Sequence, residues 1–359
     1  MYKSFKIENF RCFDDFTIEP LQRINLIAGQ NNVGKTALLE ALWLHHGYHN
    51  PRLGTLLAAF RGLGQFKRDE FMWDLFSEFD PDKVIVLSSQ DWDSQSRFLR
   101  ITIREHPISR ISVHNGGQGD GMEFPVAMIG QETTEPVESA VLLEYTGPSG
   151  ETFQAHAYVE ADNIRFESPV GIKEPGGIFL AARDRSQPKV LAERLGDLEV
   201  DKKETGIIQI LQIIEPDLES LTVRHIGNVP IIYGDVGKKR LMPLALMGDG
   251  MGRLLGIALS VPQAQDGILL VDEVENGLYH TVMSKVWRAI ADLAREYNVQ
   301  IFATTHSEEC IRAAHQAFNA SERYDFALHR LERIKKVIRA VTFDRETLDA
   351  AIEMDAEVR

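Results

Sequence analysis

A phosphate-binding loop is the clearest chemical signal in this sequence of 359 residues. Residues 29–36 read Gly-Gln-Asn-Asn-Val-Gly-Lys-Thr and match the pattern G-x-x-x-x-G-K-[ST], directly after an apolar run and before a helical pattern. The glycines allow backbone N–H groups to turn inward around phosphate, and the start of the helix adds a favourable dipole. Lys35 is expected to reach the β- and γ-phosphates, and Thr36 to offer its hydroxyl to Mg²⁺. This segment predicts a nucleotide site.

Two carboxylates follow a second apolar run. Residues 267–273 read Gly-Ile-Leu-Leu-Val-Asp-Glu, which is typical of a buried strand that ends in Asp272 and Glu273. Open α/β sheets bind ligands at the carboxyl ends of their strands. Asp272 is expected to hold Mg²⁺, usually through water because magnesium dehydrates reluctantly, and Glu273 to polarise the attacking water. Carboxylates at strand ends are common, but beside a phosphate loop they indicate hydrolysis.

A histidine and a glycine-rich turn extend the pattern on either side of the carboxylates. His306 follows the apolar run 300–304 and lies 34 residues after Asp272, enough for one helix and one strand, so it is expected beside the γ-phosphate. Residues 247–253, Met-Gly-Asp-Gly-Met-Gly-Arg, open a predicted helix, and Gly250 lies 22 residues before Asp272. Alone, these features fit a structural histidine and a capped turn. Their spacing favours a functional role.

The elements that must position these residues begin with an N-terminal, partly antiparallel region. The sequence predicts strands over 2–28, a helix over 35–46 and a second amphipathic helix over 67–79. From 84 to about 180, short alternating segments predict an antiparallel β layer. These segments are 84–88, 98–103, 109–114, 139–145 and 152–160. The stretch 115–137, rich in glycine and glutamate, is expected to be a mobile loop.

After residue 178, strands and helices alternate, which argues for a mostly parallel sheet. The predicted strands are 178–182, 268–272, 299–304, 324–331 and 337–343. The predicted helices are 188–214, 252–264, 277–297, 307–318 and 345–353. No sustained heptad repeat occurs in the sequence. We therefore expect an α/β fold of the P-loop NTPase type, with a mixed central sheet, an added antiparallel β layer and no long coiled coil.

Composition and charge exclude several classes of protein. Lysine and arginine number 39 against 53 aspartates and glutamates, a net charge of −14, so bulk charge gives no reason to expect binding to nucleic acid or an anionic membrane. The two cysteines, Cys12 and Cys310, cannot form a disulfide framework. No apolar run approaches the ~18 residues of a membrane span, and the first residues lack a signal-peptide pattern. A cytoplasmic protein that does not enter a membrane is expected.

The order of these motifs resembles that of ABC-type ATPase heads. In that group, too, a phosphate loop precedes a glycine-rich helix start, a strand that ends in Asp-Glu and a strand that ends in histidine. Three segments are similar to the branch that contains RecF, the SMC proteins and the OLD nucleases. They are Phe-Lys-Ile-Glu-Asn-Phe-Arg-Cys-Phe (5–13), Asp-Glu-Val-Glu-Asn-Gly-Leu-Tyr-His (272–280) and Thr-His-Ser (305–307). The resemblance is firm over 1–47 and 240–345.

The resemblance implies a role for each motif residue. Nucleotide would be bound by the Walker A segment, the signature turn and an arginine after the first strand. These residues are Gly29, Asn31, Asn32, Val33, Gly34, Lys35, Thr36, Ala37, Asp249, Gly250 and Arg11. Thr36 and Asp272 would hold Mg²⁺, and the catalytic residues would be Lys35, Glu273 and the switch histidine His306. In this group the signature acts on the ATP of a partner subunit, so a homodimer or higher homo-oligomer that closes around ATP is expected.

The resemblance also implies a domain plan. One ABC-type domain would span 1–359, with the N-terminal strands and Walker A in 1–47. Residues 48–177 would form an inserted helical and antiparallel β subdomain, and 178–359 the lobe that carries the signature, Walker B and switch histidine. Only about 15 residues follow the last predicted strand, so the Toprim nuclease domain of the OLD nucleases is not expected.

Several positions depart from the group. Gly248 stands where the signature usually has serine, which removes one hydroxyl donor toward the partner's γ-phosphate. Asn276 and Gly277 would occupy the D-loop. The glutamine of the Q-loop is left open, and the candidates are Gln90, Gln131 and Gln187.

These features favour an ATPase of a DNA-directed process, anti-phage defence or repair, that works with a separate nuclease or toxin. Arginines and lysines in 330–339 outnumber the single acid Glu332, and Lys238, Lys239 and Arg240 form a second basic cluster. Both clusters fit DNA contact but also a solvated strand edge. The alternative is a slow nucleotide-gated scaffold that holds an effector protein until triggered. The β-layered segment 84–160 argues against the nucleotide-binding subunit of a transporter.

Overall fold

The computed structural model describes residues 1–61, 73–106, 138–159, 164–172, 175–182 and 188–359. Strands of its first half are β1 (Tyr2–Phe10), β2 (Phe13–Ile18), β3 (Ile24–Gly29), β4 (Ile85–Asp91), β5 (Ser96–His106), β6 (Glu138–Thr146), β7 (Thr152–Val159), β8 (Ile164–Glu167) and β9 (Gly177–Leu180). Strands of its second half are β10 (Ser220–Ile226), β11 (Val229–Asp235), β12 (Met242–Pro243), β13 (Ile268–Val271), β14 (Gln300–Thr304), β15 (Phe326–Ile334) and β16 (Val337–Phe343). The α-helices are α1 (Lys35–His46), α2 (Leu53–Phe60), α3 (Pro188–Val200), α4 (Glu204–Leu211), α5 (Asp249–Gln263), α6 (His280–Glu296), α7 (Glu308–Asn319) and α8 (Arg345–Glu353).

The central sheet carries the chemical motifs. Its six strands lie in the order β16–β15–β3–β14–β13–β9. Neighbouring strands from β15 to β9 run parallel, and only the β15–β16 pair is antiparallel. The carboxyl ends of β3, β14 and β13 therefore meet at one edge of the sheet, where the phosphate loop, His306 and Asp272 follow them. The predicted mixed, mostly parallel sheet is confirmed.

A second sheet forms the antiparallel layer. Its seven strands lie in the order β2–β1–β4–β5–β6–β7–β8. Because β1 and β2 share this sheet with β4–β8, the layer is built from residues on both sides of the phosphate loop and is not confined to 48–177. The strands predicted over 84–88, 98–103, 139–145 and 152–160 are found close to those positions. The predicted strand 109–114 and loop 115–137 lie outside the described residues.

Side chains of the central strands alternate between two cores. Leu270 and Phe302 face a core shared with α1 and the antiparallel layer, whereas Leu269 and Ile301 face a core shared with α5, α6 and α7. Strands that are covered on both faces need continuous apolar runs, and these runs allowed the strands to be predicted from the sequence. The sheet is thereby rigidly held at the edge where the motifs emerge.

Three predictions about elements were wrong or incomplete. The described part of the helix predicted over 67–79 is two 3₁₀ turns, Trp73–Leu75 and Ser77–Phe79, because Glu78 has a positive φ of 59° that no α-helix accommodates. Its residues 67–72 lie outside the described residues. The helix predicted over 188–214 is two helices, α3 and α4, separated at Lys202 with φ 59°. The three-stranded sheet β10–β11–β12 and helix α2 were not predicted.

The helices of the described ranges are short. The longest, α6, has 17 residues, so no long coiled coil occurs in the part of the chain that the structure describes. None of the helices in the same ranges combines the length and the apolar character needed to cross a lipid bilayer.

Candidate active site

The phosphate loop connects β3 to α1 through two glycines in left-handed or extended positive-φ conformations. Gly29 has φ 142° and Gly34 has φ 107°. A Cβ on Gly29 would lie 2.7 Å from the carbonyl oxygen of Leu331, and one on Gly34 would lie 2.8 Å from Sγ of Cys12, so both positions require glycine. No side chain caps the first turn of α1 and no acid lies in it. Its backbone N–H groups are therefore suited to an anion.

Lys35 lies over the loop it belongs to. Its Nζ donates hydrogen bonds to the carbonyl oxygens of Gly29 at 2.6 Å and Gln30 at 3.0 Å. Burial lowers the pKa of Lys35, and the charges of nearby carboxylates oppose that effect. These carboxylates are Asp272, Glu273 and Glu275. The ammonium is thus placed between the loop and the acids at the strand end, where a phosphate would complete its charge pairing.

Thr36 and Asp272 join the loop to the strand end. Oγ1 of Thr36 donates to Oδ2 of Asp272 at 3.0 Å, and Oγ1 of Thr304 donates to Oδ1 at 2.6 Å. Burial raises the pKa of Asp272, with Glu273 adding to the effect, although the two hydroxyls oppose it. A buried carboxylate whose direct partners are neutral hydroxyls is an incomplete ion pair, which a cation would complete.

The oxygens of Thr36 and Asp272 fit magnesium. A hydroxyl and a carboxylate are the hard ligands that Mg²⁺ prefers, and it commonly takes only one or two protein ligands beside water and phosphate. Among the described residues, no cluster of three or more His, Cys, Asp or Glu side chains could hold a metal by itself. The arrangement thus suits a cation that arrives with a nucleotide rather than a permanent metal centre.

Glu273 is held in a fixed orientation at the end of β13. Its backbone takes a positive φ of 51° and its N–H donates to Oγ1 of Thr304 at 2.8 Å. Nδ2 of Asn276 donates to Oε2 of Glu273 at 2.8 Å. A residue of the predicted D-loop therefore orients the carboxylate, which is what a group that aligns a water molecule requires.

Arg253 also belongs to this site, although the sequence motifs did not identify it as a site residue. Its Nη2 donates to the backbone oxygen of Asp272 at 2.5 Å and to that of Glu273 at 3.3 Å. Arg253 lies one turn into α5, at the end of the glycine-rich segment. The signature helix and the carboxylate turn are thereby joined within one chain. The only signal in the sequence was its position as the last residue of that segment.

The glycine-rich segment meets the carboxylate turn at closest backbone contact. Gly250 is buried, and a Cβ there would lie 2.2 Å from the carbonyl oxygen of Gly277. Gly248 and Asp249 are exposed, and Gly248 has φ 100°. Only the first part of the predicted signature is therefore on the surface, and the positive φ at position 248 favours glycine over the serine that the resemblance implies there.

His306 lies at the end of β14, beside the strand that carries Asp272, as its spacing predicted. Its side chain is half-exposed and pairs with Glu275, whose Oε1 lies 3.2 Å from Nδ1 of the ring. The remaining predicted residues of the phosphate loop differ in exposure: Asn31 and Asn32 are exposed, whereas Val33 and Ala37 are buried.

Arg11, which the resemblance assigns to the nucleotide, contacts two acids of the fold. Its guanidinium Nε lies 2.9 Å from Oε2 of Glu40 and its Nη2 lies 3.5 Å from Oδ2 of Asp74. Burial lowers the pKa of Arg11, opposed first by Glu40. The neighbouring residue Cys12 packs on Gly34, but the described contacts of Arg11 are with these acids of the fold, so they lend its nucleotide role no support. Of the Q-loop candidates, Gln90 lies within β4, and Gln131 and Gln187 lie outside the described residues.

Comparison with known proteins decides the class. Residues 1–165 match a family described as "AAA ATPase domain", and residues 137–312 match one described as "AAA domain, putative AbiEii toxin, Type IV TA system". A protein of Helicobacter pylori named "ATP/GTP phosphatase" is 22% identical over 347 residues, which cover 90% of each chain. These matches include the phosphate loop, the carboxylates and the histidine. The chain is an ATPase.

A solved structure supports the architecture of this ATPase. The crystal structure of an SMC head bound to the C-terminal winged-helix domain of ScpA aligns with a TM-score of 0.50 and 13% identity. The alignment covers 98% of the ATPase and 99% of the SMC head. The fold is that of an SMC/ABC ATPase head, as the resemblance implied.

Proposed function

We propose that the ATPase binds Mg²⁺–ATP at residues 29–36 and hydrolyses it with the residues at the ends of β13 and β14. The observation that carries this proposal is the 3.0 Å hydrogen bond between Thr36 and Asp272, which brings the phosphate loop and the carboxylates into one site. Mg²⁺ held by these two residues would supply positive charge to the phosphates. Lys35 neutralises phosphate charge directly, and Glu273, oriented by Asn276, aligns the attacking water.

We further propose that a second copy of the chain completes the site, head to tail. The surface around the signature supports this. Gly248 and Asp249 are exposed at the start of α5, where backbone N–H groups are suited to phosphate. Leu246 and Tyr279, beside the signature and D-loop, are 72% and 68% exposed. Large apolar side chains that flank a polar helix start are what an interface between subunits would cover.

A single substitution tests hydrolysis and assembly together. Glu273→Gln keeps the shape of the side chain but removes the carboxylate that aligns water. We expect this variant to bind ATP with Mg²⁺, to lose turnover and to elute as a dimer in size-exclusion chromatography only when ATP is present. Lys35→Ala is the control, because it should neither bind ATP tightly nor dimerise. A Glu273→Gln variant that stays monomeric with bound ATP would contradict the dimer, and one with normal turnover would contradict the role of Glu273.

We propose DNA as the ligand that the ATPase cycle serves, with a separately encoded nuclease or toxin as partner. The β15–β16 hairpin supports the first part: Arg333, Lys335, Lys336 and Arg339 are exposed on it. Nη2 of Arg333 donates to the backbone oxygen of Asn32 at 3.1 Å, so the hairpin also contacts the phosphate loop. The family matched by residues 137–312 is described as a putative toxin of a type IV toxin–antitoxin system, and such a system has two components, which supports action beside a separately encoded partner.

Salt-dependent DNA binding tests the hairpin. Phosphate contacts by lysine and arginine release counterions, so affinity should fall steeply with salt. Lys335→Glu with Lys336→Glu should weaken binding and reduce the salt slope by about 2 if both lysines contact phosphate. Lys238→Glu with Lys239→Glu provides a comparison at the second basic cluster. Unchanged binding in the first pair of substitutions would remove the hairpin from the proposal.

The alternative function, a slow nucleotide-gated scaffold, is favoured by Gly248. A signature without the usual hydroxyl offers one donor fewer to the partner's γ-phosphate, which would weaken closure and slow turnover. Steady-state hydrolysis with and without DNA separates the two functions. Marked stimulation by DNA supports the DNA-directed ATPase, whereas slow turnover that DNA leaves unchanged supports the scaffold.

A further inference from the structure

Glu275 is an acid of the carboxylate turn that the ATPase chemistry described above does not use. It lies three residues after Asp272, in a turn held by hydrogen bonds from the N–H of Val274 to the oxygen of Thr304 at 3.0 Å and from the N–H of Leu278 to the oxygen of Glu275 at 2.9 Å. Its side chain is only 13% exposed. The backbone thus fixes the acid at the junction between the ends of β13 and β14.

The carboxylate of Glu275 contacts both the backbone and the ring of His306. Its Oε1 accepts a hydrogen bond from the N–H of His306 at 2.9 Å and lies 3.2 Å from Nδ1 of the imidazole. An ionised carboxylate only accepts hydrogen bonds, so a ring nitrogen that faces it carries a proton. Nε2, on the other side of the ring, is then the nitrogen left to exchange a hydrogen bond with the γ-phosphate or the attacking water.

The environment of the second carboxylate oxygen indicates that the negative charge of Glu275 serves a function. Oε2 is buried and has no hydrogen-bond partner among the described residues. A glutamine would accept the same backbone hydrogen bond without burying an incompletely paired charge, which costs free energy. What only a carboxylate supplies is a full negative charge beside Nδ1, which holds a proton there more strongly than a neutral amide oxygen would.

The surroundings of Glu275 place it within the field of the site. Burial lowers the pKa of Lys35, and the negative charges of Asp272, Glu273 and Glu275 oppose that effect. On the other side, burial raises the pKa of the Cys310 thiol to about 12, with Glu275 contributing, so this neighbour from α7 adds no charge. The charge of Glu275 therefore acts on the lysine that is expected to meet phosphate.

We propose that Glu275 is the positioning residue of His306: it fixes the proton on Nδ1 and leaves Nε2 to act toward the nucleotide. This inference rests on the proposed hydrolysis at the same site. The physical effect resembles that of any buried carboxylate that selects an imidazole tautomer, where removal of the charge costs activity although the shape is kept. Glu275 itself touches neither water nor phosphate in this scheme.

Nitrogen-15 NMR of the histidine ring tests the proposal directly. In the nucleotide-free protein, long-range ¹H–¹⁵N correlations, with the His306 ring assigned by its loss in His306→Ala, should show a protonated Nδ1. In Glu275→Gln, whose neutral oxygen holds the Nδ1 proton less strongly, the share of rings with the proton on Nε2 should rise, whereas Glu308→Gln, which removes a nearby acid paired with Arg312, should leave that share unchanged. A wild-type ring with its proton on Nε2 alone would overturn the proposal without any variant.

Kinetics add a second readout. We expect kcat for ATP to fall at least about tenfold in Glu275→Gln with KM little changed, and the double variant Glu275→Gln/His306→Ala to be no slower than His306→Ala alone. Losses that add in the double variant would overturn the proposal. Wild-type protein without hydrolysis would instead contradict the proposed function, and the NMR result would still decide the contact between Glu275 and His306.

Discussion

Thr36 shows how one hydroxyl can serve both structure and chemistry. Its Oγ1 lies 3.0 Å from Oδ2 of Asp272 and is also a proposed ligand of Mg²⁺. Thr36→Ala removes this oxygen, so we expect phosphate release from ATP to fall about 100-fold. Thr36→Ser keeps the oxygen and should retain most of the activity. Steady-state phosphate release at saturating Mg²⁺ measures both variants.

Urea unfolding separates the two parts of this prediction. Thr36→Ala loses the hydrogen bond to the buried carboxylate of Asp272, whereas Thr36→Ser keeps it. The free energy of unfolding of Thr36→Ala should therefore fall by about 1 kcal/mol, well short of unfolding the domain. An active Thr36→Ala variant would exclude the hydroxyl as a required ligand. An inactive Thr36→Ser variant of normal stability would show that the threonine methyl group, and not the oxygen, is needed.

Residues of the site were predictable where the chemistry depends on spacing along the chain. Lys35 and Asp272 follow from local motifs, and the position of His306 follows from the length of one helix and one strand. Pairings between distant segments were not predictable. The contact of Arg253 with the backbone of Asp272, and the pairing of Arg11 with Glu40, depend on how separate elements pack, which no local pattern encodes.

Substitutions at Gly250 and Gly252, both in α5, distinguish the effect of close packing on stability from the effect of helix propensity. A Cβ on Gly250 would lie 2.2 Å from the carbonyl oxygen of Gly277, whereas one on Gly252 would meet nothing within 4 Å. Gly250→Ala should therefore destabilise the protein by roughly 1–3 kcal/mol and slow hydrolysis, because it moves α5 from the turn that carries Glu273. Gly252→Ala, the matched control, should be neutral or more stable by up to about 1 kcal/mol. Chemical unfolding and steady-state turnover of both variants measure this, and a Gly250→Ala variant as stable and active as wild type would contradict the close packing.

Helix α1 links the phosphate loop to two histidines at its far end, the buried His45 and the partly buried His46. Burial lowers the pKa of His45 to about 3 and that of His46 to about 4, from 6.5. Both rings face the hydroxyl of Tyr2, at 3.0 Å and 3.3 Å from Nδ1. Because the unfolded chain binds protons at a higher pH than the folded chain, the stability that these neutral rings contribute is complete above pH 6.5 and is lost as pH falls toward 4.

The pH dependence of unfolding should report these histidines. We expect the free energy of unfolding to fall by about 2 kcal/mol for each histidine between pH 7 and pH 5. His46→Gln removes one titrating group, so its stability should decline less over the same interval than that of the wild type. Equal losses of unfolding free energy between pH 7 and pH 5 in the wild type and in His46→Gln, each measured by urea titration, would show that His46 is not held neutral by the fold.

Whether a helix or strand could be predicted from the sequence depends on how fully it is buried. The central strands have continuous apolar runs, as in β13 with Ile-Leu-Leu-Val, and were predicted. Strand β10 has one buried residue among seven, so its hydrophobic pattern is too weak to signal a strand. The predicted helix near residue 79 had the right apolar period but is broken at Glu78, where tertiary packing imposes a conformation that the pattern cannot reveal.

At the scale of the whole molecule, the distribution of site residues over two surfaces predicts complementation between subunits. Lys35 and the exposed Asp249 would serve different nucleotides in a head-to-tail dimer. Lys35→Ala and Asp249→Arg should each be inactive alone, since neither can form an intact composite site with copies of itself. Mixed in equal amounts, each heterodimer would contain one intact composite site that can hold ATP, so activity should return to about a quarter to a half of the wild-type value, depending on how far heterodimers outnumber homodimers.

The control for complementation is a mixture of two variants with the same defect. Lys35→Ala mixed with Thr36→Ala damages the phosphate loop of every chain, so no intact site can form and activity should not return. Exchange of subunits is verified by sizing or by a fluorescence label before turnover is measured. An Asp249→Arg variant with wild-type activity would mean that the signature turn of a partner is not needed. Verified exchange without recovery would mean that one site works only when its counterpart in the same dimer is also intact.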